Sequence, residues 1–88
     1  FIEALADAAV KCGIPRKQAY VYAAQTLKGA AAMAVTDGRS ISELKDAVCS
    51  PAGTTIEGVV SLERHGFRSS VIEAATAAYN KSVELGKK

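Results

Sequence analysis

The stretch Pro15–Thr36, PRKQAYVYAAQTLKGAAAMAVT, decides how the rest of the chain is read. Its alanines, with leucine, lysine, glutamine and methionine, are the residues that enter a helix at least cost. Ala19, Tyr20, Ala23, Leu27, Ala30 or Ala31, and Ala34 recur at helical spacing and make one apolar stripe. The other faces are nearly as apolar, through Val21, Ala24, Ala32, Met33 and Val35. A helix that is apolar all the way round is covered on most sides.

Few other elements are at hand to cover it. A chain of 88 residues makes one domain at most, and folding alone it hides about 60–65% of its unfolded surface. Apolar residues reach 49%, but much of that is alanine, which fills little volume. Such a thin core is expected to share apolar surface with a second copy, as a homodimer or a higher multiple.

Outward on the N-terminal side, Phe1 to about Lys11 reads as helix, with Ile2, Leu5, Ala6, Ala9 and Val10 on one stripe. Gly13 is a C′ stop, and Pro15 suits the first turn of the helix that follows. The chain opens in helical phase, with neither an initiator methionine nor a capping residue. That start is expected of a segment cut from a longer protein.

Outward on the other side, Asp37-Gly38-Arg39 is a turn, and Ser40-Ile41-Ser42-Glu43 has the S-x-x-E capping-box pattern, opening a short helix to about Cys49. Thr54-Thr55-Ile56-Glu57 offers a second box and a helix with Ile56, Val59, Val60 and Leu62 facing inward, ended by His65-Gly66. Ser70-Val71-Ile72-Glu73 repeats the device in a last helix that turns Val71, Ile72, Ala75, Ala78, Tyr79 and Val83 inward and stops near Gly86. No stretch alternates apolar and polar over strand length, so the fold class is all-α, about five helices without repeat or linker.

Several function classes drop out. A net charge of +2 with scattered basic residues argues against a nucleic-acid partner. A DNA-binding helix-turn-helix would gather basic residues on one helix, and the last two helices offer Arg64, Arg68 and Lys81. No segment approaches the run of roughly eighteen apolar residues of a membrane span, and Glu3 and Asp7 interrupt the apolar start where a signal peptide would need it unbroken. Cys12 and Cys49 fit no metal-ligand spacing; they are expected to be reduced and buried, in a cytoplasmic protein with no metal site.

Between the third and fourth helices lies Ser50-Pro51-Ala52-Gly53-Thr54-Thr55. Pro51 steers Ser50 away from helical angles, and Ala52 and Gly53 let another object approach the backbone. The first-turn amides of the next helix are unpaired and carry the positive end of its dipole. With the hydroxyls of Ser50, Thr54 and Thr55 they could hold a small carboxylate. The plainer reading is a capped turn that binds water, with Thr54 using its hydroxyl on its own cap. Other candidates have plainer readings still: His65 as a helix-end residue, Lys45 and Asp46 as a solvated pair or a buttress for the loop, Tyr20 and Tyr22 as packing residues on two faces, Arg68 as a turn anchor, and Glu3 and Asp7 as a wet helix face.

Read from Leu44, LKDAVCSPAGTTIEGVVSLERHGFRSSVIEA resembles the C-terminal domain of the pyrroline-5-carboxylate reductase family, with its Leu-Lys-Asp-x-Val, Ser-Pro-Gly/Ala-Gly-x-Thr, Leu-Glu and Gly-Phe-Arg. Upstream, FIEALADAAVKCGIPRKQAYVYAAQTLKGAAAM resembles the same domain's first helices through Ala-Asp-x-x-Val, Gly-x-Pro-Arg and Ala-Ala-Gln-Thr. Position 52 holds alanine where many members have glycine.

The resemblance implies an intertwined helical dimerisation domain of the 6-phosphogluconate-dehydrogenase C-terminal type. A Rossmann domain binding NADPH or NADH would be supplied elsewhere, since no G-x-G-x-x-G occurs here. It also implies that Ser50, Gly53, Thr54 and Thr55 bind the substrate carboxylate. Thr55 would face the ring nitrogen of the substrate as the catalytic residue, by positioning more than by acid catalysis. The alternative is a non-catalytic helical oligomerisation module.

Overall fold

Cys12 and Gly13 show why the first helix stops. In the computed structural model, which describes residues 1–87, α1 runs Ile2–Lys11 and Cys12 is its C-cap. Gly13 follows in the positive-φ region at 107°, a conformation that costs a side-chain-bearing residue dearly. The Gly13 N–H donates to the Val10 carbonyl at 2.9 Å and the Ile14 N–H to the Ala9 carbonyl at 3.0 Å. This is the Schellman pairing, and it uses carbonyls the helix end would otherwise leave bare. Pro15 stands just outside the next helix as its N-cap, and α2 runs Arg16–Thr36.

The rest of the chain adds α3 (Ile41–Ala47), α4 (Thr54–Arg64) and α5 (Phe67–Gly86), with no strand among the described residues. The fold is all-α, as the periodicities require. The helices divide between Lys45 and Asp46 into two compact units.

In the first unit α1 packs on α2 through Ala6, Ala19 and Ala23, the buried core, with Leu5, Ala9, Val10 and Ile14 half-buried against it. Small residues at the seam let the two backbones approach closely. Asp7, read from sequence as part of a wet face, pairs with Arg16 across the α1–α2 corner, and the Arg16 guanidinium lies 5.6 Å from the Tyr20 ring centre. After α2, Asp37 holds Arg39 through two contacts, 2.6 Å to Nε and 3.0 Å to Nη2. Gly38 between them takes a φ of 90°.

In the second unit α4 and α5 form a helical hairpin. Gly66 between them adopts a left-handed conformation, φ 72° and ψ 34°, and serves as the N-cap of α5. Arg68 Nε donates to Glu63 across this corner at 2.8 Å, the anchoring role expected of it. His65 is the C-cap of α4, its Nδ1 2.8 Å from the Ser61 carbonyl. That is an end-of-helix role, as expected.

Burial departs from expectation. Of α2 only Ala19 and Ala23 are buried, and Val21 and Val35 are 61% and 84% exposed. In α4, Ile56 and Val59 are half-buried, but Val60 and Leu62 are exposed. In α5 the whole expected inner stripe, Val71, Ile72, Ala75, Ala78, Tyr79 and Val83, is exposed. A pair of helices has one contact seam: in α2 it buries a single narrow stripe, and in α5 it brings no residue even to half-burial. The cysteines also differ: Cys12 is exposed and Cys49 half-buried, both as free thiols, because Cys12 lies past the last turn of α1.

Ser70 does not begin a helix. Gly66 turns the chain so tightly that α5 starts at Phe67, and the Ser70 N–H already donates to the Gly66 carbonyl at 2.9 Å. No helix among the described residues is long and apolar enough to cross a membrane.

A candidate anion-binding turn at the start of α4

Ser50–Gly53 is a β-turn closed by the Gly53 N–H donating to the Ser50 carbonyl at 3.0 Å. Pro51 takes its second place, where a fixed φ favours this turn. Ala52 takes its third at φ 59°. A proline followed by a positive φ is the pattern of a type II turn, whose third residue is ordinarily glycine. Ala52 therefore holds a left-handed conformation at a cost of roughly 1–2 kcal/mol. Helix α3 ends at Ala47, the residue whose carbonyl a helical N–H at position 51 would bind, and Pro51 has no N–H to give it, so the proline both closes off α3 and shapes this turn.

The turn delivers the chain to α4 one residue earlier than the T-x-x-E pattern predicts. Gly53, with φ −82° and ψ 177°, is the N-cap and makes no side-chain cap. Thr54 and Thr55 become the first two residues of the helix, and Glu57 falls beyond the position from which a capping box closes. Thr54 is thus not its own cap, a correction to the sequence reading. None of the hydroxyls of Ser50, Thr54 and Thr55 has a hydrogen-bond partner among the described residues. Helix-start amides carry the positive end of the helix dipole, and here no side chain quenches them.

All four residues expected at the site stand on this one segment. Ser50, Thr54 and Thr55 are exposed and Gly53 is half-buried. Ser50 reaches back over the turn, its Oγ lying 2.4 Å from the point where a Cβ on Gly53 would stand. Three exposed hydroxyl-bearing residues and a helix start therefore stand on one short segment, a set of groups suited to holding a small oxyanion and not to proton transfer at neutral pH. The sequence signal that could have exposed the true cap is the Pro-x-Gly spacing, which ends a type II turn on Gly53. Between α1 and α2 lies an apolar concavity of about 290 Å³ touched by Leu5, Cys12, Tyr22 and Thr26. It holds no charged group to orient a polar substrate. Among the described residues no three His, Cys, Asp or Glu side chains gather as a metal site would need.

Residues 1–85 match the family described as pyrroline-5-carboxylate reductase dimerisation. The chain belongs to that family. It is 56% identical over 87 residues to the pyrroline-5-carboxylate reductase of Escherichia coli (strain K12), covering 99% of this chain and 32% of that protein. The enzyme of that name from Pisum sativum is 51% identical over 84 residues, 96% of this chain and 31% of its own length. The chain spans about a third of the length of the curated relatives it matches.

Solved structures agree on the fold. The Plasmodium falciparum pyrroline carboxylate reductase with NADP bound superposes with a TM-score of 0.89 at 40% identity, over 93% of this chain and 31% of that one. The pyrroline-5-carboxylate reductase of Coxiella burnetii gives 0.90 at 39% identity, over 96% and 31%. The resemblance carried by the Ser-Pro-Ala-Gly-Thr-Thr and Gly-Phe-Arg segments thus extends over the helices that hold them.

Proposed function

We propose that this chain is the dimerisation and substrate-carboxylate-binding domain of a cytoplasmic pyrroline-5-carboxylate reductase, the enzyme that reduces 1-pyrroline-5-carboxylate to L-proline with NADPH or NADH. The observation that carries the reading is the dimerisation-family match over residues 1–85. Two features of the molecule support it. The apolar faces of α2 and α5 are bare in the single chain, as a domain that wraps around a second copy requires. The start of α4 is uncapped, as a carboxylate site requires.

Each residue then has a task. The amides of Thr54 and Thr55 receive the carboxylate, helped by the hydroxyl of Ser50 or Thr55. The Thr55 hydroxyl also faces the ring nitrogen and holds the imine in one orientation. The nicotinamide, bound mainly by a Rossmann domain of the same enzyme, supplies the hydride when present. Thr55 contributes by holding the ring still, because a threonine hydroxyl is too weak an acid to drive proton transfer and orientation alone is worth a great deal.

Thr55→Ala in the full-length reductase tests the site. Loss of a buried hydrogen-bond partner costs about 1–3 kcal/mol, so kcat/KM should fall roughly 5- to 150-fold. An unchanged kcat/KM with the assembly intact would leave Thr55 no substrate role and favour a non-catalytic oligomerisation module. Light scattering tests the assembly: the 9.1 kDa chain should run at twice that mass or a higher multiple. A well-folded monomer would end the dimer reading.

A further inference from the structure

We infer that Gly53 is a positioning residue for this site, acting through Ser50. The inference rests on the carboxylate-site reading above. Its basis is a conflict between what the backbone tolerates at position 53 and what the space around it allows. With φ −82° and ψ 177°, Gly53 stands in extended backbone open to any residue. Backbone freedom is therefore no reason for a glycine there. The usual occupants of an N-cap are serine, threonine, aspartate and asparagine, whose oxygens bind the amides of the first turn. Such an oxygen would occupy the donors a substrate carboxylate needs.

The surroundings supply the reason. A Cβ on residue 53 would meet Ser50 Oγ at 2.4 Å and the Ser50 carbonyl at 3.2 Å. The first distance is impossible and the second is tight. The hydroxyl is the free end of a short side chain and can swing away, while the carbonyl need yield only a few tenths of an ångström. A side chain at 53 therefore evicts the Ser50 hydroxyl from the mouth of α4 and leaves the turn standing. Glycine at this position does two things: it leaves the first-turn amides uncapped, and it leaves room for the Ser50 hydroxyl against its bare α-carbon, next to the start of α4.

The test is a two-residue cycle in the full-length reductase, with KM for pyrroline-5-carboxylate and kcat measured separately for Ser50→Ala, Gly53→Ala and the double variant. Loss of one hydrogen bond to the substrate should raise KM about three- to tenfold in each single variant, with kcat within about twofold of wild type. The double variant should be no worse than Ser50→Ala alone, because no hydroxyl remains to displace. A wild-type KM for Gly53→Ala, or single effects that multiply in the double variant, overturns the inference. So does a Gly53→Ala defect that comes with lost helix content or dissociation and is not relieved by Ser50→Ala. Thr55→Ala separates the levels. If Thr55→Ala and Ser50→Ala both leave kcat/KM unchanged, the carboxylate site itself falls; if both weaken it while Gly53→Ala acts independently of Ser50, only the role of Gly53 falls.

Discussion

Helices α3 and α4 begin on the same sequence pattern and end up as opposites. Before α3, the Ser40 hydroxyl accepts from the Glu43 N–H at 3.1 Å and the Glu43 carboxylate accepts from the Ser40 N–H at 3.1 Å. That box is closed, and donors that would otherwise be bare are used by the protein itself. Before α4, the turn Ser50–Gly53 brings a glycine to the capping place and moves Thr54 one position into the helix. The second box cannot close, and Thr54 and Thr55 are exposed. One residue of register separates a helix start that serves the fold from one that can serve a ligand. The ends of α1 and α2 follow the closed pattern: Gly13 and Ile14 bind the carbonyls of α1, and the Asp37 N–H donates to Met33 at 2.9 Å.

The largest perturbation should come from the closed side. Ala19 is fully buried where α2 meets α1, so Ala19→Leu overpacks the seam and should cost about 1–3 kcal/mol in denaturant unfolding at fixed protein concentration. The contrast between the two boxes is tested by a matched pair. Ser40→Ala removes a working cap and should cost about 1 kcal/mol. Thr54→Ala removes a hydroxyl that caps nothing and should change stability by less than about 0.5 kcal/mol. Equal losses would mean that Thr54 caps α4 after all.

A smaller effect of opposite sign is expected at Ala52. Replacing it with glycine relieves the left-handed strain but frees the unfolded chain, a net gain of about 0.5–1 kcal/mol. The smallest concerns acid. The Arg39 guanidinium holds the Asp37 carboxyl below its ordinary value, so the pair's stabilisation is complete above the usual carboxylate pKa of about 3.9 and fades as pH falls through the depressed value. Both groups are solvated, so the effect on unfolding is slight. An NMR titration of Asp37 should show the depressed pKa, and Arg39→Ala should return it to the ordinary range.

Much of the fold was legible because its signals are local. Gly13, Asp37-Gly38-Arg39, Ser40…Glu43 and His65-Gly66 each act within a few residues, and each fell where the sequence put it. The errors share a cause. Thr54 and Ser70 carry valid cap patterns, but the turns in front of them, one ending on Gly53 and the other on a left-handed Gly66, set the helix starts one and four residues earlier. The burial errors have a different origin. The apolar periods of α2 and α5 are real, yet a period says only that a face is covered, not by what.

Residue chemistry along the chain was enough to establish five helices, their stops, and a polar break holding Ser50, Gly53, Thr54 and Thr55, because propensity, backbone freedom and capping act over a turn or two. Folding in three dimensions settled which alanines close the α1–α2 seam, that Asp7 meets Arg16, and that the Ser50 hydroxyl crowds the bare face of Gly53. Those outcomes depend on distances between atoms that no spacing rule encodes, and a shift of one residue or a few tenths of an ångström reverses them.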